Sequence, residues 1–298
     1  MRAAVVITPG EPEAITVIDV PVPEPGAGEV RIEVAAAGVN PVDLGTRGGF
    51  FHQLGMIDQP EHTGLGWDVA GTVVAVGPGV DLAIGTRVAG LAPGFDRPLG
   101  TYAEQVVVSA DAVAVVPDGL DLTEAATVPV NGLAAAQALG LLGPAAGRTL
   151  LVTGAAGAVG GYALPLALAA GWSVTGLART ADEEFVRSTG ADFTAAPESG
   201  FDAVIDAALL GDAAIALVRD GGAYVGTRPG GGPASERGIS VTSVETAPDA
   251  AVLADLLART ASGELAARVH AVLPLDRAAD AHRALETGGV RGRYVLQP

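Results

Sequence analysis

At 298 residues, 49% of them hydrophobic, the chain is long enough for two compact units and can bury a sizeable core. A formal net charge of −17 sets it against nucleic acid and anionic membranes as partners, and no apolar run approaches the roughly 20 residues that a bilayer span needs. There is no cysteine, and all 17 basic residues are arginine. That excludes disulfides, thiolate nucleophiles, cysteine-ligated zinc and lysine-dependent chemistry such as Schiff bases.

Residues 1–117 read as a compact, mostly antiparallel β domain, with short Val-rich runs separated by Gly and Pro. The apolar stretch after Met1 meets Pro9 and Gly10 too soon for a signal-peptide core. It reads as a first strand, and the expected compartment is the cytoplasm. Further strands are predicted over Glu29–Val34, Gly71–Val76 and Glu104–Val108.

The pattern changes after Val116-Pro117-Asp118-Gly119, and residues 118–261 read as a second domain. Thr123 is placed to cap a helix beginning Glu124-Ala125-Ala126, and an Ala/Leu-rich helix is predicted from Leu133 to Leu142. Strands over Thr149–Thr153, Ser173–Ala178, Ala203–Asp206 and Ala223–Thr227 then alternate with helices, one through Ala170, one over Glu184–Ser188 and one near Ala213–Val218. This alternation predicts a doubly wound parallel sheet. Residues 262–298 return to mixed character, and Arg293–Leu296 reads as a closing strand.

The segment Leu150-Leu151-Val152-Thr153-Gly154-Ala155-Ala156-Gly157-Ala158-Val159-Gly160 runs a buried strand through small residues into a helix. The unpaired N–H groups and positive dipole end of such a helix suit a pyrophosphate. Gly154, Ala156, Gly157, Ala158, Val159 and Gly160 are therefore candidate cofactor residues, although Ala155 stands at the first glycine of the strict fingerprint. The bland alternative is a turn without ligand. The next strand ends Gly176-Leu177-Ala178-Arg179-Thr180, with no carboxylate before Asp182. A carboxylate there would repel a ribose 2′-phosphate, whereas a guanidinium binds it, so the expected cofactor is NADPH with Arg179 as its clamp. A solvated arginine on the strand edge is the alternative.

Motifs in order along nearly the whole chain now come together: Ala36-Ala37-Gly38-Val39-Asn40-Pro41-Val42-Asp43, Gly66-Trp67-Asp68-Val69-Ala70-Gly71, Gly85-Thr86-Arg87-Val88, Gly100-Thr101-Tyr102-Ala103-Glu104, Ala125-Ala126-Thr127-Val128-Pro129, the Gly154–Gly160 turn, Gly190-Ala191-Asp192, Ala281-His282-Arg283 and Gly292-Arg293-Tyr294-Val295-Leu296. In this the chain resembles the quinone oxidoreductase (zeta-crystallin-like) branch of the medium-chain dehydrogenase/reductase superfamily. The resemblance implies an α/β protein with a GroES-like, mostly β substrate domain, a Rossmann cofactor domain and a homodimer. Zinc-dependent relatives have Cys where Asn40 stands and a His–Glu pair where Trp67-Asp68 stand, so no metal is expected.

The resemblance also nominates site residues. Asn40, at the metal-ligand position, is the candidate catalytic residue, donating a hydrogen bond to substrate or nicotinamide; alternatively its amide only caps the following turn. Asp43 orders that segment or acts as acid or base, and Arg47 pairs with Asp43 if the segment is helical. Many relatives carry Tyr where Phe51 stands. Phe50 and Phe51, with Trp67, become candidate walls of an apolar pocket, or else plain core. His52 and His62 are candidate proton donors, with a surface role as the alternative. Thr127, Asn131 and Thr227 match positions that contact the nicotinamide ribose or carboxamide, and Arg228 either reaches the pyrophosphate or faces solvent. The expected function is metal-free hydride transfer from NADPH to a quinone or α,β-unsaturated carbonyl compound, the substrate being a small apolar or aromatic carbonyl molecule. The alternatives are an enoyl-thioester reductase of fatty-acid or polyketide assembly and a weakly catalytic NADPH-binding protein.

Overall fold

The computed structural model describes residues 1–289 and 291–298. It divides into two units, one of Met1–Val130, Pro248–Gly263 and Ala267–Pro298, the other of Asn131–Ala247 and Glu264–Ala266. No helix among the described residues is long and apolar enough to cross a membrane.

The first unit is built on alternation. Glu29–Gly38 buries every second side chain along its first half, and pairs antiparallel with both Asp68–Val76 and Gln105–Ser109. Arg87–Leu91 and Val113–Val115 extend this sheet on one side. On the other side Arg293–Gln297 joins it, followed by Val269–Pro274 in the sheet's one parallel pairing among the described residues. The C-terminal segment thereby adds Leu275, Ala278, Ala281 and Leu296 to a core that also holds Val30, Ile32, Val69, Val73 and Tyr102. A smaller sheet pairs Arg2–Val6 with Ile15–Asp19 and Thr63–Gly64.

The second unit is a six-stranded sheet with every pairing parallel. Its order is Asp192–Thr194, Ser173–Leu177, Thr149–Thr153, Phe201–Asp206, Val218–Gly226, Ser240–Ser243. The central strands are near-continuous apolar runs, as strands covered on both faces must be; Leu150, Leu151, Val152, Val204 and Ile205 are all fully buried.

Some elements differ from their sequence expectation. The cap before Pro129 is Asp121, whose carboxylate accepts the Thr123 N–H at 2.7 Å, so Thr123 lies inside the helix Leu122–Ala125. The next helix starts at Pro129 rather than Leu133; proline suits a first turn, where its missing N–H costs nothing. The helix expected near Ala213–Val218 is only Asp212–Ile215, and Val218 already opens the strand Val218–Gly226, paired with Phe201. The helix Ala250–Ala261 escaped the sequence reading. Its signals were present: Asp249 caps Val252 at 3.0 Å, and Leu253, Leu256, Leu257 and Thr260 form one buried stripe.

Candidate functional site

In the second unit, Thr149–Thr153 and Phe201–Asp206 are neighbours, yet the chain continues from the first toward Ser173–Leu177 and from the second toward Val218–Gly226. Where strand order reverses in this way, the loops beyond the strand ends diverge and leave a crevice for ligand. Thr153 and Asp206 end the two strands and are joined, the Thr153 hydroxyl donating to Asp206 Oδ1 at 2.6 Å. Asp206 is wholly buried and also accepts the N–H groups of Leu210 (3.1 Å) and Gly211 (2.9 Å) and the Tyr224 hydroxyl (2.8 Å). It thus clamps the loop that follows its strand. The sequence reading missed Asp206; a lone carboxylate ending an apolar strand was its only signal.

Three glycines shape the turn between Thr153 and the helix Ala158–Ala169. Gly154 has φ +59°, the left-handed region where a side chain is strained. A Cβ on Gly157, the residue before the helix, would lie 2.9 Å from the Gly154 carbonyl oxygen, and one on Gly160 only 2.3 Å from it. The result is a cradle lined by backbone, with Ala156 buried beneath it. The N–H groups of Ala158, Val159 and Gly160 belong to the first turn of a 12-residue helix, whose leading donors have no acceptors within the helix. This geometry fits a diphosphate.

Arg179 follows the strand Ser173–Leu177, with two-thirds of its side chain exposed and Nε 3.6 Å from Asp182 Oδ2. Thr227 donates its hydroxyl to the Asp206 carbonyl at 3.2 Å, and Arg228 beyond it is exposed. Asn131 is buried near the start of the helix Pro129–Leu142.

In the first unit the sequence candidates are drawn into a buried polar network. Asn40 precedes the helix Pro41–Arg47 and is wholly buried. Its N–H donates to Asp43 Oδ2 at 2.8 Å, and its side-chain Nδ2 donates to Asp68 Oδ2 at 2.7 Å. Asp68 Oδ1 accepts the Val130 N–H at 2.7 Å. Asp43 also accepts the Gly66 N–H (3.0 Å) and the Tyr102 hydroxyl (3.1 Å), and that hydroxyl lies 3.4 Å from His282 Nε2. Burial pushes Asp43 up to about 6 against the pull of these donors. Asp68 is pushed up to about 7, again chiefly by burial and further by Asp43. His282 is driven down to about 3, by burial first and by the Arg47 charge second. Arg47 pairs with Glu286 instead of Asp43; although the segment is helical, the Asp43 oxygens already hold three donors. Thr127 is buried and donates its hydroxyl to the Glu124 carbonyl at 2.8 Å.

An aromatic cluster lies in the same unit. Phe51 stacks on Phe95 with ring centroids 4.0 Å apart, Trp67 meets Phe95 at 5.2 Å, and Phe50 meets Phe51 edge to face at 5.2 Å. Phe50 is half exposed. His52 is partly buried, with Nε2 3.4 Å from the Thr63 hydroxyl, and His62 is likewise partly buried. Phe95 was not anticipated. It lies between Pro93 and Pro98 in a loop without periodicity, and only the fold brings it to Phe51.

Two family models match the chain, "Alcohol dehydrogenase GroES-like domain" over residues 26–118 and "Zinc-binding dehydrogenase" over residues 180–296. The chain is 32% identical over 298 residues to a 2-methylene-furan-3-one reductase of Solanum lycopersicum, covering 94% of this chain and 74% of that protein. It is 33% identical over 295 residues to a chloroplastic NADPH-dependent alkenal/one oxidoreductase of Arabidopsis thaliana, covering 93% and 74%. The solved quinone oxidoreductase of Coxiella burnetii superposes with a TM-score of 0.90 at 28% identity, over 100% of this chain and 99% of that one. The residues at hand do not fit the zinc of the second model's description. The chain has no cysteine, and in place of nitrogen and sulfur ligands it offers an amide, an indole and the Asp68 carboxylate, which already accepts two N–H groups.

Proposed function

The chain belongs to the medium-chain dehydrogenase/reductase superfamily, in its quinone oxidoreductase branch, and on that premise we propose that it transfers hydride from NADPH to a quinone or an α,β-unsaturated carbonyl compound. The observation that carries the reading is the glycine-built turn at the reversal of strand order, opening onto the first turn of a long helix. Its amides at Ala158, Val159 and Gly160 hold the diphosphate, with Gly154, Ala156 and Gly157 shaping the approach. Arg179 takes the ribose 2′-phosphate. Thr127, Asn131, Thr227 and Arg228 are assigned to the nicotinamide ribose, its carboxamide and the pyrophosphate.

When bound, NADPH supplies the hydride. The protein's part is to orient and to exclude water. Asp68 fixes the Asn40 carboxamide, which we assign as a hydrogen-bonding group toward substrate or nicotinamide. Asp43 holds the backbone around Gly66 in place, and Phe50, Phe51 and Trp67 supply apolar faces for a flat carbonyl substrate, with His52 beside them. Conjugate addition of hydride needs no Lewis acid, because the negative charge it leaves on oxygen can be met by hydrogen-bond donors. We further infer a homodimer, from the family resemblance.

The test is loss of NADPH absorbance on mixing with simple quinones and simple enones. Turnover with at least one class is expected, and tight NADPH binding without turnover of either would replace this reading with that of a binding protein.

A further inference from the structure

Arg97 was assigned no role by its sequence, yet it reaches into the part of the first unit where the candidate substrate residues gather. It lies two residues beyond Phe95, whose ring stacks against Phe51 and Trp67. One Nη donates to the carbonyl of Gly66, the residue before Trp67 and the one whose N–H is held by Asp43. Its Nε is buried and has no hydrogen-bond partner, and no carboxylate among the described residues forms an ion pair with it. The residue is partly buried, and its other Nη neither makes a hydrogen bond nor belongs to the buried, unpartnered atoms, which leaves it as the donor open to a ligand. Burial lowers its pKa to about 10 while Asp43 pulls the other way, so at neutral pH it remains a cation.

A partly desolvated guanidinium that feels Asp43 only at longer range and has no direct carboxylate partner has capacity left for an anion that arrives during function. Arg31 and Arg47 also have a buried Nε without a hydrogen-bond partner, but each has a direct carboxylate partner, Glu24 and Glu286. The aromatic faces beside Arg97 suit a planar molecule, and the chain has neither the tyrosine of many relatives at position 51 nor a metal-ligand set to meet charge on a substrate oxygen.

We propose that Arg97 is a further catalytic residue, donating hydrogen bonds to the carbonyl oxygen of a planar substrate seated on Phe51, Phe95 and Trp67. This rests on the reductase reading above and deepens it. As a new C–H bond forms at the substrate's β-carbon, the displaced π pair leaves negative charge on the carbonyl oxygen, and Arg97 meets that charge. A solvent proton then completes the two-electron reduction. Arg97 keeps its own proton throughout.

Arg97→Gln tests the assignment, because the amide can still donate to the Gly66 carbonyl while the charge is removed. The expected result is a loss of about 10²-fold in kcat/KM for quinone and enone alike, the size seen when an oxyanion donor is deleted, with the NADPH Kd unchanged within about twofold. Activity within about threefold of the parent would overturn the proposal. A binding measurement on the unaltered protein stands independently of folding in the variant and of turnover. 4-Nitrophenolate, a planar anion, should bind at least about tenfold tighter than neutral nitrobenzene, in competition with the quinone, and Arg97→Gln should abolish the difference. Equal affinities in the parent, or an anion preference that survives the substitution, would overturn it. Inertness of the parent toward both acceptor classes would instead remove the reductase reading, leaving the anion preference to be judged by itself.

Discussion

At the scale of single residues, chemistry was legible wherever a position carries its meaning in its type. The absence of any carboxylate between Gly160 and Asp182 directs attention to Arg179, and the structure leaves that guanidinium largely exposed beside Asp182. Arg179→Glu should raise the KM for NADPH by roughly tenfold or more, the value of a lost charge-assisted hydrogen bond plus a new repulsion, while the KM for NADH changes little. Parallel steady-state runs with the two cofactors would check it, and an unaltered preference would return Arg179 to the solvent. Asn40 was legible as a position but not as a contact. Its acceptor, Asp68, lies 28 residues away and was visible only as a replaced zinc ligand. Arg47 shows the reverse error, in which a helical spacing suggested Asp43 and a distant Glu286 took the pair.

At the scale of elements, the same substitution separates two kinds of glycine. A Cβ at Gly160 would press on the Gly154 carbonyl at 2.3 Å and on the Ala155 Cα at 2.8 Å, both backbone atoms that cannot swing away. Gly160→Ala should therefore destabilise the protein by about 1–3 kcal/mol, the usual cost of overpacking, and weaken NADPH binding by shifting the turn. At Gly140, exposed in the helix Pro129–Leu142, a Cβ would meet nothing within 4 Å. Gly140→Ala should stabilise by about 0.5–1 kcal/mol through lost chain entropy. Thermal melts of the two variants should move in opposite directions; a shared sign would mean the turn yields more easily than its geometry implies. The strands Thr149–Thr153 and Ser173–Leu177 were readable because apolar runs flanked by glycine have few alternatives. Short edge strands such as Asp192–Thr194 and Ser240–Ser243 were not, since three or four residues of mixed polarity owe their conformation to the neighbour they pair with.

At the scale of the whole molecule, the buried network ties folding to pH. Asp43 (about 6) and Asp68 (about 7) are raised above their ordinary values, so their contribution is fully present below about pH 4 and is lost as pH rises through the folded values. His282 (about 3) acts oppositely; its contribution is present above about pH 6.5 and is lost as pH falls toward 3. Between these limits two extra carboxyl protons outweigh one missing imidazole proton, and net stability should decline from about pH 5 to 7. Asp68→Asn isolates one member. It costs a fixed amount, because the new amide must face one of the two N–H donors that Asp68 accepts. The stability of the parent relative to the variant should then fall by as much as about 1.4 kcal/mol per pH unit between roughly pH 4 and 7. Urea midpoints at intervals of one pH unit would show this slope, and a difference independent of pH would contradict a raised Asp68.

The sequence by itself determined which chemistry was possible. The lack of cysteine and lysine removed whole classes of chemistry, and the succession of strand, small-residue turn and helix pointed to a dinucleotide site built from backbone and arginine. Those features are local or compositional, so they survive reading along one dimension. Only tertiary structure decided which groups meet: Asn40 with Asp68, Tyr102 with His282, Phe51 with Phe95, Arg97 with the Gly66 carbonyl. Such contacts join segments of unrelated spacing, and their energies depend on burial, a property that no residue has until the rest of the chain has closed around it.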